Sequence, residues 1–341
     1  MTKGRLVVSS SVAVVALGVV AALSALILDP ARAAVGPLPP EGLALPADAR
    51  FLVGLDVKRF TASPFYQKYS HEKNGRPQTF KDLEEKTGLN PERDVDQVVI
   101  AGGQVPGREG VVLVFGRFDQ SRLAHAIETQ GKEVTWKRHE GVAVYLFREG
   151  TQASKALAFL DDRTLLIGSQ QAVETTIANR AQGGGALRSN QALMDLLQRV
   201  KPGSTFWMVG DQTLLAQMPK SIPAPGAAAG SETSISLPAL KSLVVTGELS
   251  PAVTISAVGD AADEAAAKNL ADVVRGFAAL AALQANQKPE LKELASAISV
   301  TTETVHVRVN ARFPYELLDA LHQQRKPATA PEAAPQSPPA Q

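Results

Sequence analysis

A run of 23 residues without any charge, Leu6–Leu28, constrains this chain more than any other feature of its sequence. As an α-helix the run would be about 35 Å long, which is enough to cross a hydrocarbon core of about 30 Å. Lys3 and Arg5 precede the run, and basic residues next to a membrane-spanning helix stay on the cytoplasmic side. We therefore predict that the run enters the membrane and that the residues after it lie outside the cytoplasm.

The residues that follow the run leave its fate open. Ala31 and Ala33 are small residues at the −3 and −1 positions of a signal-peptide cleavage site, and Pro30 ends a helix just before them. This pattern favours cleavage near Ala33 and secretion. The length of the run favours retention as an inner-membrane anchor facing the periplasm or the exterior, because the apolar part of a signal peptide is usually about 7–15 residues long. Burial inside the fold is the least favoured alternative, since the run has no polar face.

The composition excludes several classes of protein. The chain has 341 residues, of which 45% are apolar and 20% charged, as expected of a globular fold. Its 35 basic and 34 acidic side chains give a net charge of +1, so no nucleic-acid partner is expected. It has no cysteine, which excludes disulfides, thiolate nucleophiles, cysteine-bound zinc and iron–sulfur clusters.

Changes in composition divide the chain into segments. A stretch rich in Pro and Gly predicts a stalk, and a final stretch rich in Pro and Ala predicts a disordered tail. The part between them predicts two α+β units. The segments are 1–33 (signal peptide or signal anchor), 34–45 (stalk), 46–182 (first α+β unit), 183–325 (second α+β unit, with a loop insert at 221–238) and 326–341 (disordered tail).

Strand and helix signals alternate through both units. Short apolar runs bounded by turn residues predict strands at Phe51–Leu55, Val98–Ile100, Val111–Phe115, Glu133–His139, Val142–Phe147, Ala156–Leu160 and Thr164–Ile167. Hydroxyl or carboxylate side chains that can cap a helix predict helix starts at Ser63, Thr79, Asp119 and Ser169. We predict an α+β fold with largely antiparallel sheets and with helices on one face of each sheet.

The second half of the chain repeats the order of the first. The strand that holds Phe51 resembles one that holds Phe206, at an offset of 155 residues, and Val99 matches Val244 at an offset of 145. These matches predict an internal duplication, in which the hairpin Glu133–Phe147 has no counterpart in the second half.

Motifs that would carry catalysis or bind a cofactor are missing. The glycine-rich loop from Gly102 to Gly110 lacks the Lys-Ser/Thr end of a phosphate loop and leads into a strand. No two of the five histidines stand four residues apart. No Gly-x-Ser-x-Gly elbow is present, and serines such as Ser63 and Ser169 are explained as helix caps. We predict no catalytic, cofactor-binding or metal-binding residues and no cofactor.

Other polar and aromatic residues have structural interpretations. Asp94 with Asp96, and Asp161 with Asp162, are interpreted as solvated turn residues rather than as a catalytic carboxylate pair. A helix over 261–284 is predicted, with Asp260 as its cap and Glu264–Lys268 as an ion pair. The two tryptophans, Trp136 and Trp207, are predicted to lie in the core, and the basic stretch Tyr66–Lys81 to be a solvated helix end and loop.

Two stretches, Leu45–Tyr69 and Thr87–Gly103, carry a resemblance to a family. They resemble a set of uncharacterised bacterial exported or membrane-anchored proteins, a domain of unknown function. These proteins pair an N-terminal apolar segment with a Leu-Pro-Ala-Asp opening strand and duplicated α+β units. The resemblance covers Leu45–Ile177 and is weaker after Gln191. It implies export and the fold, and it carries over no catalytic residue.

These observations favour a non-enzymatic envelope protein that presents a binding surface to an envelope partner. The membrane itself is the second expected partner, through Leu6–Leu28 if that run is retained. An envelope hydrolase with a site between the two halves is one alternative, and a lipid- or small-molecule-binding module is the other. A cleft with converging Asp, Glu or His side chains would favour the enzyme, and an apolar tunnel would favour lipid binding. A flat or convex surface with an apolar patch would favour partner binding.

Overall fold

The fold is built around one antiparallel sheet of twelve strands. The computed structural model describes residues 38–69, 78–103, 110–130, 134–147, 155–216, 221–223, 234–236, 238–284, 293 and 296–324. The strands of the sheet are β1 (Phe51–Asp56), β2 (Val95–Gly102), β3 (Gly110–Gly116), β4 (Val134–His139), β5 (Val142–Phe147), β6 (Lys155–Asp161), β7 (Thr164–Ser169), β8 (Phe206–Asp211), β11 (Leu240–Glu248), β12 (Val253–Ala261), β13 (Ile298–Glu303) and β14 (His306–Phe313). A separate antiparallel pair consists of β9 (Ser221–Pro223) and β10 (Ser234–Ser236).

Helices connect and cover the strands. The α-helices are α1 (Val57–Ala62), α2 (Pro64–Tyr69), α3 (Gln78–Thr87), α4 (Pro91–Asp94), α5 (Gln120–Gln130), α6 (Gln170–Ala181), α7 (Gln191–Gln198), α8 (Gln212–Leu215), α9 (Glu264–Gln284) and α10 (Tyr315–Gln324). Two short 3-10 helices, Pro40–Ala44 and Ala186–Ser189, add to them. No helix in the described part of the chain combines the length and the apolar character that a membrane span needs.

The α+β class and the antiparallel pairing agree with the prediction, but the strands of both units join in one sheet. The strand order is β13-β14-β12-β11-β8-β1-β2-β3-β7-β6-β5-β4. The first strands of the two units, β1 and β8, are hydrogen-bonded neighbours at its centre. Because β1 and β8 pair with each other, neither strand is a free edge of the sheet.

The pairing of β1 with β8 has a particular register. Val53 lies opposite Met208, and these two residues are separated by the same 155 positions as Phe51 and Phe206. The backbone N–H of Asp56 donates to the carbonyl of Thr205, and that of Asp211 donates to the carbonyl of Arg50. These reciprocal bonds give the centre of the sheet a local two-fold relation.

Helices lie on both faces of the sheet, which corrects the expectation of one covered face. We call front the face whose cluster includes Leu55, Val98 and Phe60 of α1, and back the face whose cluster includes Leu166 and Ile177 of α6. The reason is visible in the sequence. The central strands are continuous apolar runs, typical of strands buried on both sides, rather than alternating ones.

Two segments predicted to be irregular contain ordered structure. The end of the predicted stalk forms the 3-10 helix Pro40–Ala44, and Leu45 is fully buried in the back-face cluster. The predicted loop insert 221–238 contains β9 and β10. The run Leu6–Leu28, the tail 326–341 and the middle of the glycine-rich loop, 104–109, lie outside the described residues.

Candidate functional site

The helix that follows the last strand lies on opposite faces in the two halves. After β7, α6 packs on the back face through Val173 and Ile177. After β14, α10 packs on the front face, where Leu318 contacts the cluster that also contains Tyr66. The back face of the second half is therefore not covered by α10.

Contacts with α2 hold α10 on the front face. The hydroxyl of Tyr69 donates to Asp319 Oδ1 at 2.6 Å, and Lys68 forms an ion pair with the same carboxylate. The rings of Tyr69 and Tyr315 stack with centroids 6.4 Å apart. The Tyr315 hydroxyl donates to the carbonyl oxygen of Leu249. These contacts link the end of the second unit to the start of the first.

The back face of β12–β14 is uncovered and polar. Together with the adjoining back-face residues of β11, of which Ser242 and Val244 are buried beside α7, we call it the polar platform. Its residues face the same side in register across four neighbouring strands. They are Ser242, Val244, Thr246 and Glu248 on β11, Thr254, Ser256, Val258 and Asp260 on β12, His306, Arg308, Asn310 and Arg312 on β14, and Ser299, Thr301 and Glu303 on β13.

The same face of the first half is apolar. There one row across four strands consists of Val99, Leu113, Leu166 and Ala158, all buried under α6 and its neighbours. The row at the matching place in the second half consists of Val244, Val258, Arg308 and Thr301. On β14 and β13, where no helix covers this face, Arg308 and Thr301 replace the apolar residues of the first half, whereas Val244 and Val258 remain apolar.

Asp260 organises one end of the platform. Arg199, just after α7, donates to both of its carboxylate oxygens, at 2.6 and 3.0 Å. The Ser242 hydroxyl donates to Oδ2, and His306 Nδ1 lies 2.7 Å from Oδ1. The cluster joins the end of α7 to β11, β12 and β14.

The protonation of Asp260 follows from these contacts. Partial burial by itself would raise the pKa of this carboxyl. The hydrogen bonds from Arg199, Ser242 and His306, together with the Arg199 charge, outweigh the burial and hold the pKa of Asp260 well below its ordinary value. Asp260 is therefore a permanent anion at neutral pH, and the bidentate guanidinium neutralises it.

The geometry of this cluster differs from that of a hydrolase triad. In a triad the serine hydroxyl donates to the histidine, which the carboxylate orients from the other side. Here Ser242 donates to Asp260 itself, and His306 contacts the same carboxylate. The serine is thus not activated by the imidazole, and the arrangement supports a structural clamp.

A depression of about 410 Å³ opens at the other end of the platform. Its lining includes Lys201, Thr246, Ser256, Asn310 and Arg312. The Ser256 hydroxyl donates to Asn310 Oδ1 at 2.8 Å, and Lys201 forms an ion pair with Glu248. The lining can therefore donate and accept hydrogen bonds over an open surface.

A smaller depression, of about 210 Å³, occupies the corresponding place in the first half. Gly102 and Gly110, at the two ends of the glycine-rich loop, line it together with Ser169 at the start of α6. A helix N-terminus thus lies beside this loop, although it comes from a distant part of the chain rather than from the residues after the loop. The presence of α6 on this face explains the smaller volume.

Two cations of the platform are free. Arg199 and Lys201 each pair with a carboxylate. Arg308 and Arg312 are exposed, and neither forms an ion pair or side-chain hydrogen bond with another residue that the structure describes. The platform therefore presents unneutralised positive charge along β14.

Sequence reasoning missed these residues, although their signal is present. From His306 to Phe313, β14 alternates polar and apolar side chains at every position. This period of two predicts a strand with one buried and one solvated face. The polar members are the four β14 residues of the platform.

Several predicted helix caps are confirmed. Ser63 Oγ accepts from the N–H of Tyr66 at 3.1 Å, and Asp119 Oδ1 from that of Arg122 at 3.0 Å. Ser169 Oγ accepts from the N–H of Ala172 at 3.3 Å. These side chains are occupied by backbone donors, as the structural interpretation requires.

Two assignments at α9 and β4 are wrong. Asp263, not Asp260, caps α9, because its Oδ1 accepts from the N–H of Ala266 at 2.8 Å while β12 continues through Ala261. Trp136 is 57% exposed, on the edge strand β4. Trp207 is fully buried, as predicted.

The predicted carboxylate pairs have separate structural contacts. Asp94 pairs with Arg93 at 2.7 Å and accepts from the N–H of Asn90, which opposes the effect of its burial and lowers its pKa. Asp96 forms ion pairs with Lys58 and Arg163. Asp161 accepts from the backbone of its own turn. None of these contacts sets two carboxylates across a cleft.

Comparison with known proteins adds no assignment. No family model, curated protein or solved structure matches this chain. Among the described residues, no group of three or more His, Asp or Glu side chains could hold a metal ion. The candidate site is therefore the polar platform, defined by geometry alone.

Proposed function

We propose that this chain is a non-enzymatic envelope protein that presents the polar platform to a partner outside the cytoplasm. The observation that carries the proposal is an uncovered sheet face in the second half where the first half has a helix. A fold gains free energy by covering apolar strands, so this polar face can stay open to solvent and accessible to a partner.

The location is proposed from the sequence. An uncharged run long enough to cross a bilayer, preceded by cations, supports insertion with the fold on the far side. Under this proposal the fold is displayed from the inner membrane by Leu6–Leu28, or released after cleavage near Ala33. The resemblance to exported proteins supports the same placement.

We also propose that the two units, 46–182 and 183–325, arose by duplication. The register that places Val53 opposite Met208, the reciprocal bonds of Asp56 and Asp211, and the similar positions of the two depressions support it. After duplication, loss of a helix from one face would allow that unit to acquire a binding surface.

The alternative functions receive less support from the lining residues. A lipid-binding module needs an enclosed apolar groove. The larger depression includes Ile255 and Ala311 in its lining, but it is open and also carries hydroxyl, amide and charged groups. A hydrolase needs an activated nucleophile or a positioned acid and base. The contacts of Asp260, Ser242 and His306 provide neither.

The test is site-specific photo-crosslinking in cells that express the full chain. A benzophenone amino acid at Ser299 samples the platform, and one at Glu128, exposed on α5, is the matched control. We expect a discrete adduct from Ser299 and none from Glu128. Equal adducts from both positions, or adducts from Glu128 alone, would contradict the proposal.

The intact mass of the recovered chain tests the location separately. A mass that retains Leu6–Leu28, in the carbonate-resistant membrane fraction, supports the anchor. A mass that begins after Ala33, in the soluble envelope fraction, supports secretion. Full-length chain in the cytosol would contradict both.

A further inference from the structure

We infer that the partner of the polar platform is an acidic polypeptide segment bound in extended conformation along β14. This inference rests on the proposed function and names the chemistry of its partner. It follows from the positions of Arg308 and Arg312, from the neutral polar residues between them, and from the carboxylates elsewhere on the platform.

The free cations define a direction. Arg308 and Arg312 lie on the same face of β14, four residues apart. At about 3.4 Å per residue their Cα atoms are about 14 Å apart along the strand. An extended peptide that follows β14 presents side chains of one face at every second residue, so acidic side chains four residues apart would meet both guanidinium groups.

The surface between the arginines suits a peptide. Thr246, Ser256, Asn310 and Ser299 form a neutral polar row across β11, β12, β14 and β13. Hydroxyl and amide groups can donate to and accept from a peptide backbone. The depression of about 410 Å³ at this place gives room for the side chains between the two acidic ones.

The carboxylates on the platform argue against a densely charged polyanion as the partner. Glu248 and Asp260 are neutralised by Lys201 and Arg199, but Glu303 is exposed beside His306. A phosphate polymer is bound best by converging cations, whereas these arginines are separated and a carboxylate stands nearby. Glycans commonly stack on an aromatic ring, and none of the platform residues named above is Trp, Tyr or Phe. A polypeptide with both acidic and neutral side chains fits the separated arginines and does not need an aromatic ring.

The experiment measures binding of a fluorescein-labelled dodecapeptide with Glu at every fourth position and Thr or Ser between. A peptide with Gln in place of Glu is its control. The full chain in lipid nanodiscs is the protein used. Two exposed ion pairs, each contributing about 0.2–1 kcal/mol, predict that the Glu peptide binds roughly two- to thirtyfold more tightly than the Gln peptide. Affinity should fall as salt rises from low to physiological concentration.

Variants then locate the site. We expect Arg308→Gln with Arg312→Gln to remove the preference for the Glu peptide, and Arg308→Lys with Arg312→Lys to retain part of it. Arg188→Gln, at an exposed arginine on the second 3-10 helix, should leave it unchanged. All replaced side chains are exposed, so thermal melting should match that of the wild type.

Several results would overturn the inference. Equal affinity for the Glu and Gln peptides would do so, and so would an unchanged preference in the double Gln variant. So would displacement of the Glu peptide by inorganic tripolyphosphate at concentrations below the Kd of the Glu peptide. If crosslinks from Ser299 persist in such a case, only the acidic-peptide assignment fails. If the crosslinks are absent as well, the proposed function fails with it.

Discussion

The ring of Phe206 on β8 lies directly over Gly247 on β11. A methyl group on Gly247 would come within 2.3 Å of Phe206 Cε1. Phe51 and Gly102 form the same pair on β1 and β2, where the corresponding distance is 2.2 Å. An aromatic ring that covers a cross-strand glycine stabilises a sheet at a position that lacks a side chain of its own. The pair occurs at matching places in both halves.

Gly247→Ala should destabilise the fold by about 1–3 kcal/mol, because the added Cβ meets a ring that is itself buried. Gly276→Ala is the matched control. Gly276 lies in α9, where nothing lies within 4 Å of a new Cβ, so alanine should stabilise the helix by about 0.5–1 kcal/mol. Urea unfolding followed by circular dichroism measures both. A neutral Gly247→Ala would contradict the close approach of the ring.

Asp260→Asn should lower the free energy of unfolding at neutral pH and make that free energy depend less on pH in acid. The ordinary pKa of the carboxyl is 3.8, and that of Asp260 in the fold is lower. The charged form therefore contributes its full stability above the ordinary value, and this contribution is lost as the pH falls below it. Because the cluster is partly exposed, we expect a loss of about 1–2 kcal/mol rather than the value for a buried pair.

The control for this variant is Asp263→Asn, because asparagine caps a helix about as well as aspartate does. Unfolding free energies measured from pH 7 to pH 2 should fall less steeply for Asp260→Asn than for the wild type and for the control. Parallel curves for all three chains would show that the Arg199–Asp260 contact adds nothing to stability.

The individual strands could be predicted because their signals are local. Val142–Phe147 was predicted with the bounds that β5 has, since it is a continuous apolar run that directly follows the Glu140-Gly141 turn. The turn itself is visible in the backbone, where both residues have positive φ. Such features need no knowledge of the rest of the chain.

The joining of the two units in one sheet could not be predicted in the same way. Leu52 pairs with Val209, and no local pattern specifies which strand an apolar strand joins after more than 150 residues. The face of the sheet on which a helix packs could not be predicted either. The sequence likeness between the segments after β7 and β14 favours one placement for both helices, whereas Asp319 and Tyr315 place α10 against α2. The polar platform is a consequence of that long-range contact.

The two tryptophans should respond differently to substitution. Trp207→Ala removes a fully buried side chain that lies over Gly54, and we expect a loss of about 3–5 kcal/mol. Trp136→Ala, on the edge strand β4, should change stability by no more than about 0.5 kcal/mol. In single-tryptophan variants, acrylamide should quench Trp136 emission strongly and Trp207 emission weakly. Similar quenching of both would contradict the burial assigned to them.

The position of α10 can be tested through a double-mutant cycle between Tyr69 and Asp319. Tyr69→Phe removes the hydroxyl donor and Asp319→Asn removes the charge of the acceptor, so the two should couple by about 0.5–1.5 kcal/mol in unfolding free energy. Tyr69→Phe with Asp272→Asn, on α9, is the control pair and should be additive. Absence of coupling between Tyr69 and Asp319 would separate α10 from α2. That result would contradict the contact that keeps α10 on the front face and leaves Arg308 and Arg312 accessible to a partner.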